Sequence, residues 1–458
     1  MRLVDTHSHL DFPDYKNDLD EVLGRAAESG VIRVIVPGTS AASSEKAVKL
    51  AAAYPGVFSA AGIHPHEADK VGDNDIARIR DLAVNSDKIV AIGEIGLDYF
   101  KGYSKKENQR KLFRRLLSIA NELELPAILH NRDADGDFLE ILSEVMPQAK
   151  GVMHCYSSKP PAFLEEMLSR GMYISFAGNI TFEKAEELRK IVKRVPPERL
   201  LLETDSPYIT PEPSRGKRNE PGYVKYLLET YSGIYRLSTS DIARITTHNA
   251  NQLFHLGIEE KPAIAYPIRN SLYLNITNRC TNRCAFCTRQ YSNYAKGHNL
   301  KLNAEPASSE IIEAMGDVSG YNEVVFCGYG EPTLRLEAIK KVASYVKEKG
   351  TKVRLTTNGE GNLISERRIS SELKGLVDRV SVSLNAPNEE GYDRLCRSVF
   401  GRRAYKAILD FIAECREDKI EVEVTCLDII GEEAVEECRK MVEARGALFR
   451  LRHEGAVG

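Results

Sequence analysis

The sequence predicts an α/β protein made of two consecutive barrels, a complete (β/α)8 barrel followed by a partial (β/α)6 barrel. The 458 residues exceed what one ordinary hydrophobic core contains. Short apolar runs alternate with longer amphipathic stretches along the chain. A proline-bearing stretch interrupts this alternation at 259–268, which predicts a linker between one domain at 1–258 and another at 269–458.

Eight apolar runs of strand length occupy the first 258 residues, and amphipathic stretches such as 17–29, 104–125 and 183–194 lie between them. Eight strand–helix units in about 250 residues are typical of the TIM barrel. The predicted strands are residues 2–6, 31–36, 57–62, 88–93, 126–130, 150–154, 172–176 and 199–203.

The alternation starts again after the linker and gives six further strands before the chain ends. Six units are too few to close a TIM barrel, so we predict a partial one. The strands are expected at residues 271–277, 323–328, 352–357, 379–384, 420–426 and 447–451.

Composition favours a protein of the cytoplasm without a membrane segment. No apolar run reaches the roughly 18 residues that a membrane span needs, and the N-terminus lacks the apolar core of a secretory signal. The net charge of −3 gives no general basic excess for gripping a polyanion. We therefore expect any nucleic acid to be held locally, by a few side chains or by metal ions.

Histidine and carboxylate side chains collect where the strands of the first domain end, which is the rim that carries chemistry in such barrels. His7 and His9 are two residues apart on an extended segment, so both leave the same face. Imidazoles with carboxylates suit Zn²⁺, Mn²⁺ or a similar divalent ion, and one carboxylate could bridge a pair of metals. The side chains at these ends are His7, His9, His64, His66, Glu94, His130, His154 and Asp205.

The first domain resembles the TatD family of metal-dependent hydrolases, whose studied members are mostly deoxyribonucleases. The motifs behind this resemblance cover the whole segment. They are the His7/His9 pair, Gly93-Glu94-Ile95-Gly96-Leu97-Asp98-Tyr99, His130-Asn131-Arg132-Asp133-Ala134, His154-Cys155-Tyr156-Ser157, Glu203-Thr204-Asp205-Ser206-Pro207-Tyr208, Arg215-Gly216-Lys217-Arg218-Asn219-Glu220-Pro221 and Thr247-His248-Asn249-Ala250.

The resemblance implies two divalent metal ions (Zn, Mg or Mn) that share Glu94 as a bridging and catalytic ligand. One ion would take His7, His9, Glu94 and Asp205, and the other would take Glu94, His130 and His154. Asp205 would also orient or deprotonate the attacking water, as a catalytic residue.

Four further side chains are predicted to bind substrate phosphate: His64, Arg132, Arg215 and Lys217. For the loop with Arg215 and Lys217, a solvated basic turn is an equal alternative. We interpret His66 and His248 as structural and Cys155 as a packed thiol.

The second domain opens with three cysteines in eight residues, Cys280, Cys284 and Cys287, directly after its first strand. In a chain without an export signal, this CxxxCxxC loop predicts metal ligation rather than disulfides. Three thiolates can hold a 4Fe-4S iron–sulfur cluster and leave one iron open. A zinc site would need a fourth protein ligand nearby, and none is obvious.

The cysteine loop, with Phe286 before its last cysteine, resembles the radical S-adenosylmethionine (radical SAM) superfamily. The resemblance extends to the segment Gly328–Thr333 and to the ends of the next two strands. It implies a 4Fe-4S cluster, S-adenosyl-L-methionine (SAM), and a 5′-deoxyadenosyl radical that abstracts hydrogen from a substrate. The cofactor-binding residues implied are Gly328, Gly330, Glu331, Asn358, Ser383 and Asn385.

An electron donor such as flavodoxin or ferredoxin would be a partner of this domain. The five other cysteines of the domain show no tight spacing and are predicted to be packed thiols rather than ligands of a second cluster. They are Cys327, Cys396, Cys415, Cys426 and Cys438.

Together the two halves resemble TatD-linked radical SAM proteins. We predict a bifunctional enzyme: a nuclease-like hydrolase that cuts phosphodiester bonds of DNA or RNA, and a radical SAM activity on an unidentified substrate. The alternative is a hydrolase that cuts an ester or amide, for example in an aminoacyl or modified-nucleoside compound. A non-catalytic scaffold is disfavoured by the complete sets of ligands.

Overall fold

The computed structural model describes residues 1–148 and 150–453. The chain divides into two compact units, residues 1–259 and 260–458, each with its own hydrophobic core. Within the described residues, no helix is both long enough and apolar enough to cross a membrane.

Eight parallel strands in sequential order form the sheet of the first unit, which confirms the predicted barrel. Thr6 N–H donates to the Leu202 carbonyl, and Ser8 forms a bridge with Ser206, so the last strand meets the first. The strands are β1 (Leu3–Asp5), β2 (Val31–Pro37), β3 (Val57–Ala61), β4 (Ile89–Asp98), β5 (Ala127–Arg132), β6 (Gly151–Met153), β7 (Tyr173–Phe176) and β8 (Leu200–Leu202).

Helices surround this sheet because each has one apolar stripe to bury. The fourth helix turns Leu112, Phe113 and Leu116 inward at helical spacing. The helices are α1 (Leu19–Glu28), α2 (Ala41–Ala53), α3 (Asp73–Asn85), α4 (Lys106–Glu122), α5 (Asp135–Val145), α6 (Pro161–Ser169), α7 (Glu186–Val192), α8 (Leu227–Tyr235) and α9 (Thr239–Phe254).

Strand β4 is longer than predicted, and this changes where Glu94 lies. The prediction ended the strand at residue 93, whereas β4 continues to Asp98. Its register with β5 shifts between Ile92 and Ile95, and Gly96–Asp98 then pair with His130–Arg132. Glu94 therefore lies at an irregularity inside β4, and the strand end carries Asp98 instead.

The second unit contains one seven-stranded sheet in the order β17-β16-β15-β14-β13-β10-β9 and a separate two-stranded ribbon. The six predicted strands are present as its parallel strands β10 and β13–β17. The strands are β9 (Ala265–Ile268), β10 (Ser271–Leu274), β11 (Tyr294–Ala295), β12 (His298–Asn299), β13 (Glu323–Phe326), β14 (Lys352–Thr357), β15 (Arg379–Ser383), β16 (Glu421–Leu427) and β17 (Leu448–Arg452).

The predicted linker at 259–268 is wrong over its last four residues. Ala265–Ile268 form β9, which pairs antiparallel with β10, and Tyr266 packs on Tyr273 with ring centroids 5.5 Å apart. The prolines favoured a linker over a strand in the prediction. Proline is nevertheless tolerated in a strand at the edge of a sheet, where its missing N–H is not needed.

The helices of the second unit cover one face of its sheet, where their apolar residues join the strand valines in one core. They are α10 (Ser308–Met315), α11 (Leu336–Glu348), α12 (Gly361–Ser365), α13 (Ser370–Leu373), α14 (Glu389–Cys396), α15 (Arg403–Glu417) and α16 (Glu432–Ala444).

Candidate metal centre and cysteine loop

The two carboxylate oxygens of Glu94 face two different groups of histidines. Its Oε2 lies 3.5 Å from His7 Nε2 and 3.8 Å from His9 Nε2. Its Oε1 lies 3.0 Å from His130 Nδ1 and 3.1 Å from His154 Nε2. Glu94 is buried at the centre of the rim and touches both groups. The groups also meet directly, because His154 lies close enough to His7 and Asp205 for these three to hold one ion.

Asp205 completes the first group. Its Oδ1 lies 3.5 Å from His9 Nε2 and 3.8 Å from His7 Nε2, and those two nitrogens are 3.3 Å apart. Ligands bonded to one tetrahedral zinc at about 2.1 Å would be roughly 3.4 Å apart. The donor types and their spacing therefore fit a divalent ion.

The second group contains one histidine more than predicted for it. His64 Nε2 lies 3.4 Å from Glu94 Oε1 and belongs with Glu94 and His130 to a set of donors close enough for one ion. His64 was predicted to bind phosphate, and its position favours a metal ligand as much as a phosphate contact.

Two buried carboxylates face the histidines of the second group, and one of them, Asp98, hydrogen-bonds to His130. His130 Nε2 lies 3.2 Å from Asp98 Oδ2, and His66 Nε2 lies 3.0 Å from the same oxygen. On the other side, His154 Nδ1 lies 3.4 Å from Glu203 Oε2. A carboxylate on the remaining ring nitrogen fixes the ring and leaves the first nitrogen free to bind a metal.

The pKa shifts of the buried groups show that the site favours positive charge. Burial opposes ionisation of Glu94, but His64, His154 and His130 together hold the pKa of its carboxyl well below the ordinary range. Burial lowers the pKa of His154, but Glu203 and Glu94 outweigh it and hold that pKa well above the ordinary value. The ionised carboxylates thus stabilise positive charge on the histidines beside them. A metal cation bound at the same place would be stabilised by the same carboxylates.

A cavity of about 750 Å³ opens above these groups. Of the predicted substrate-binding residues, His64 and Arg132 line it. Arg215 instead lies over the Phe182 ring at 4.3 Å, pairs with Glu212, and lines a separate cavity. Lys217 is exposed and is also absent from the described lining, so the structure does not bring this loop to the metal centre.

In the second unit, the cysteine loop follows β10, and N–H groups already point at its sulfurs. Arg289 Nε–H donates to Cys287 Sγ at 3.2 Å, and Asn282 N–H donates to Cys280 Sγ at 3.4 Å. Among the described residues, the three sulfurs do not all lie within 4.8 Å of one another, as donors to a single ion would. The loop thus fits a cluster with several iron atoms better than one zinc.

The glycines of the segment after β13 allow close packing against the chain that leads into the loop. A Cβ on Gly330 would lie 2.1 Å from the Arg279 carbonyl oxygen, and one on Gly328 would lie 2.3 Å from Asn275 Oδ1. Tyr329 N–H donates to that same Asn275 oxygen at 2.9 Å. Larger residues here would push the segment away from the cysteines.

Glu331 and Asn358 organise these loops from within. Glu331 Oε1 accepts hydrogen bonds from the hydroxyls of Thr333 and Thr357, and its Oε2 accepts from Asn358 N–H at 2.8 Å. The Asn358 side chain donates to Thr281 Oγ1 in the cysteine loop at 2.7 Å. Their contact with SAM stays a prediction.

The two remaining predicted cofactor residues lie at the end of β15. Ser383 is its last residue and is partly exposed, whereas Asn385 is buried with a positive φ of 55°. Arg283 N–H, next to Cys284, donates to the Cys396 carbonyl at 3.0 Å. Cys396, predicted to be a packed thiol, is indeed buried but lies beside the loop that holds the triad.

Both domains match known protein families. A family model described as TatD related DNase matches residues 4–255, and the radical SAM superfamily model matches residues 274–444. The chain belongs to the TatD family. It is thus a metal-dependent, nuclease-like TatD hydrolase domain fused to a radical SAM domain. These families in general imply divalent metals, an iron–sulfur cluster and SAM.

Several relatives match the TatD domain over their full length. The uncharacterized metal-dependent hydrolase YabD of Bacillus subtilis is 41% identical over 256 residues, which are 56% of this chain and 100% of YabD. The 3′-5′ ssDNA/RNA exonuclease TatD of Erwinia tasmaniensis is 36% identical over 261 residues, again 56% of this chain and 100% of the relative. The crystal structure of the TatD homologue YJJV from Escherichia coli is 32% identical with a TM-score of 0.53, and the match covers 56% and 98% of the two chains.

Asp98 and Glu203 both belong to the TatD-like motifs, but neither is predicted from the sequence to take part in the site. Each is an acidic residue in or next to a buried strand, and a buried carboxylate needs partners. An acidic residue in such a strand therefore indicates a polar partner inside the barrel, which here is a histidine. His66 was interpreted as structural, whereas it lines the cavity and shares Asp98 with His130.

We expect Glu203→Gln to weaken the second metal site without unfolding the TatD domain. The carboxylate accepts from Ser175 Oγ at 2.7 Å and from Cys155 N–H at 2.7 Å, so the amide keeps the shape but loses the charge that faces His154. Loss of such a partner costs about 10–100-fold in metal affinity or activity. Metal titration of the purified variant measures this.

Glu220→Gln provides the matched control, since Glu220 is also buried but pairs with Arg25. It should leave metal affinity unchanged. Equal metal affinity in Glu203→Gln and wild type would refute the assigned role of Glu203.

Proposed function

We propose that the TatD domain is a divalent-metal-dependent 3′-5′ exonuclease that acts on single-stranded DNA or RNA. The observation that carries this proposal is the divided coordination of Glu94, whose two oxygens face two sets of ligands. His7, His9, Glu94 and Asp205 would hold one ion, and Glu94, His130 and His154 the other. Two such ions, when bound, activate water and stabilise the attacking and leaving oxygens of a phosphodiester.

Asp205 is the residue proposed to accept the proton of the attacking water. It lines the cavity, whereas its neighbour Glu203 is buried behind His154. Its Oδ1 lies 3.5 Å from His9 Nε2, so the same carboxylate can contact both an ion and the water above it. Burial opposes ionisation of Asp205, but the hydrogen bond from His9 and the charge of His154 keep its pKa below the ordinary value.

The rim of the cavity supports a single-stranded substrate. Tyr103 and Tyr208 are 65% and 54% exposed, although aromatic rings are usually buried. Phe12 stacks on His9 with centroids 4.6 Å apart, and Tyr103 contacts His66 at 4.7 Å. Exposed rings beside a few cations are a platform for unpaired bases, and Arg132 supplies a guanidinium in this cavity.

Removal of this rim should raise KM on single-stranded DNA. Each base–aromatic stack contributes about 1–3 kcal/mol, so we expect roughly a tenfold rise or more in Tyr103→Leu/Tyr208→Leu. Hydrolysis of bis(4-nitrophenyl) phosphate, which has no stacked bases, should be unchanged. Tyr291→Leu, which removes an 81% exposed tyrosine of the other domain, is the matched control.

The same assay applied to Arg215→Ala/Lys217→Ala should show little change, since Arg215 lies over Phe182 and not in the metal cavity. A rise in KM confined to this pair would refute the rim as the binding surface and restore the basic loop to that role.

We propose further that Cys280, Cys284 and Cys287 hold a 4Fe-4S cluster and that the segment Gly328–Thr333 and Ser383 border bound SAM. The cluster would supply the electron that cleaves SAM, and a flavodoxin- or ferredoxin-type donor would reduce it. Arg289 holds the loop closed, because its guanidinium also donates to the Asn278 and Asn282 carbonyls.

The nuclease proposal is tested with 5′-labelled single-stranded DNA and RNA in Mg²⁺ or Mn²⁺, with Asp205→Asn as the control. Stepwise shortening by wild type and none by the variant is the expected result. No shortening, or equal shortening by both proteins, would refute a nuclease, and esters and amides would then be the substrates to assay.

A further inference from the structure

Among the residues that the structure describes, no helix covers one face of the seven-stranded sheet of the radical SAM domain, and Leu300 and Ala295 pack on part of that face beside β9, β10 and β13. Alternate strand residues, such as Val353, Val380 and Val424, join the core beneath the helices. Successive residues of a strand point to opposite faces, so the residues between them lie on the other, open face. Those with charged or hydroxyl side chains include Glu323, Arg354, Ser381, Glu423, Thr425, Arg450 and Arg452.

Most charges on the open face are neutralised by partners on the same face. Arg354 donates to Glu323 through Nη2 at 2.8 Å and through Nε at 3.1 Å. Glu423 accepts from the Ser381 hydroxyl at 3.0 Å and lies 3.9 Å from Arg450. Within the described part of the domain, these pairs match the charges of Glu323, Arg354, Glu423 and Arg450.

Arg452 differs from these residues. It is the last residue of β17, in register with Leu427, and it is only partly exposed. Among residues 1–148 and 150–453, no carboxylate lies within ion-pair distance of its guanidinium. A half-buried guanidinium is stabilised when an anion pairs with it, because burial removes part of its hydration.

The charge of Arg452 acts across the open face. β17 and β13 are separated by three strands in the sheet. Because β13–β17 are parallel, Arg452 at the end of β17 and Cys327 just after β13 lie at the same edge of the sheet. The charges of Arg452 and Arg354 favour the thiolate of Cys327, whose pKa burial raises. Cys327 directly follows β13 and precedes the segment Gly328–Thr333, so Arg452 lies at the strand ends where SAM is proposed to bind.

We propose that Arg452 binds an anionic oxygen group, a phosphate or a carboxylate, of the substrate of the radical SAM domain. The planar guanidinium can donate two parallel hydrogen bonds to either group. Ser383, which is partly exposed and whose strand position puts it on the same face, provides a hydroxyl for the polar body of such a molecule. The proposal rests on the second domain binding SAM and is independent of the nuclease assignment.

The test uses full-length protein, reconstituted without oxygen, with Glu94→Ala present in every sample so that the TatD metal centre does not bind the probes. Equilibrium dialysis at low salt with saturating SAM measures the binding of labelled inorganic phosphate and labelled acetate. Arg452→Gln should lose at least about tenfold in affinity for one of the two ions, since charge-assisted bidentate bonds are strong. The ion that is lost identifies the group.

Arg452→Lys keeps the charge but not the paired geometry, so its affinity should lie between the other two. Arg439→Gln is the matched control, because Arg439 lies over Phe449 and pairs with Glu436 on the helical side. Unchanged affinity for both ions in Arg452→Gln would overturn the proposal. A loss of SAM affinity instead would also overturn it and would assign Arg452 to the cofactor's own carboxylate.

Cluster absorbance and SAM binding of the starting protein are recorded separately. Their absence would show that the assignment of the second domain, and not the role of Arg452, had failed. If Arg452→Gln does not fold, the comparison of Arg452→Lys with wild type remains decisive, and an affinity unchanged for both ions would overturn the proposal.

Discussion

Glu94→Ala should bring the metal content of the TatD domain from about two ions per chain to nearly none. The carboxylate oxygens of Glu94 face both ligand groups, at 3.0–3.8 Å from the histidine nitrogens on each side. Its loss also leaves buried histidines without their central anion. Because the ions contribute several kcal/mol to the reaction, we expect hydrolysis to fall by roughly a thousandfold or more.

Metal analysis after dialysis, together with the exonuclease assay, measures both effects. Glu67→Ala is the matched control, because Glu67 lines the same cavity but pairs with the exposed Lys70. It should retain both ions and most of the activity. Two tightly bound ions in Glu94→Ala would show that the metals do not share this ligand.

Cys284→Ala should abolish both the brown absorbance of the radical SAM domain and the formation of 5′-deoxyadenosine from SAM. A cluster held by three thiolates from one loop has no spare ligand in that loop. Iron and sulfide analysis gives a second readout that does not depend on turnover. Cys415→Ala, at a buried cysteine of α15, is the matched control and should keep the cluster.

Cys396 is a thiol that could replace Cys284 as a cluster ligand, so a second variant is needed. Arg283 and Ala285, on either side of Cys284, donate backbone hydrogen bonds to the Cys396 and Leu395 carbonyls, so Cys396 lies beside the position that the substitution empties. A cluster retained in Cys284→Ala but lost in Cys284→Ala/Cys396→Ala would show that Cys396 serves as a ligand. A cluster retained in both variants would refute the assignment of the triad.

The strands of the fold and the ligand types were predictable from the sequence because both follow local rules. Buried parallel strands are continuous apolar runs, and residues at their C-terminal ends meet at one rim. The continuation of β4 to Asp98 was not predictable in this way. It depends on a register irregularity against β5, which is a property of two strands together.

Contacts between distant segments account for the other differences. Nothing local in the sequence shows that Glu203 faces His154, or that Arg215 lies over Phe182 instead of reaching the cavity. The same holds for Cys396, which is 112 residues beyond Cys284 and meets it only after α14 has packed. Residue type and spacing predict chemistry, whereas side-chain direction is set by packing.

Strand β9 has a consequence for the solubility of the radical SAM domain. A parallel sheet that began at β10 would present a row of unpaired N–H and C=O groups, to which a second molecule could add a strand. β9 pairs with this edge and carries Pro267, which has no N–H to donate to another strand. The stretch that resembles a linker therefore also protects this edge of the sheet from the addition of a strand.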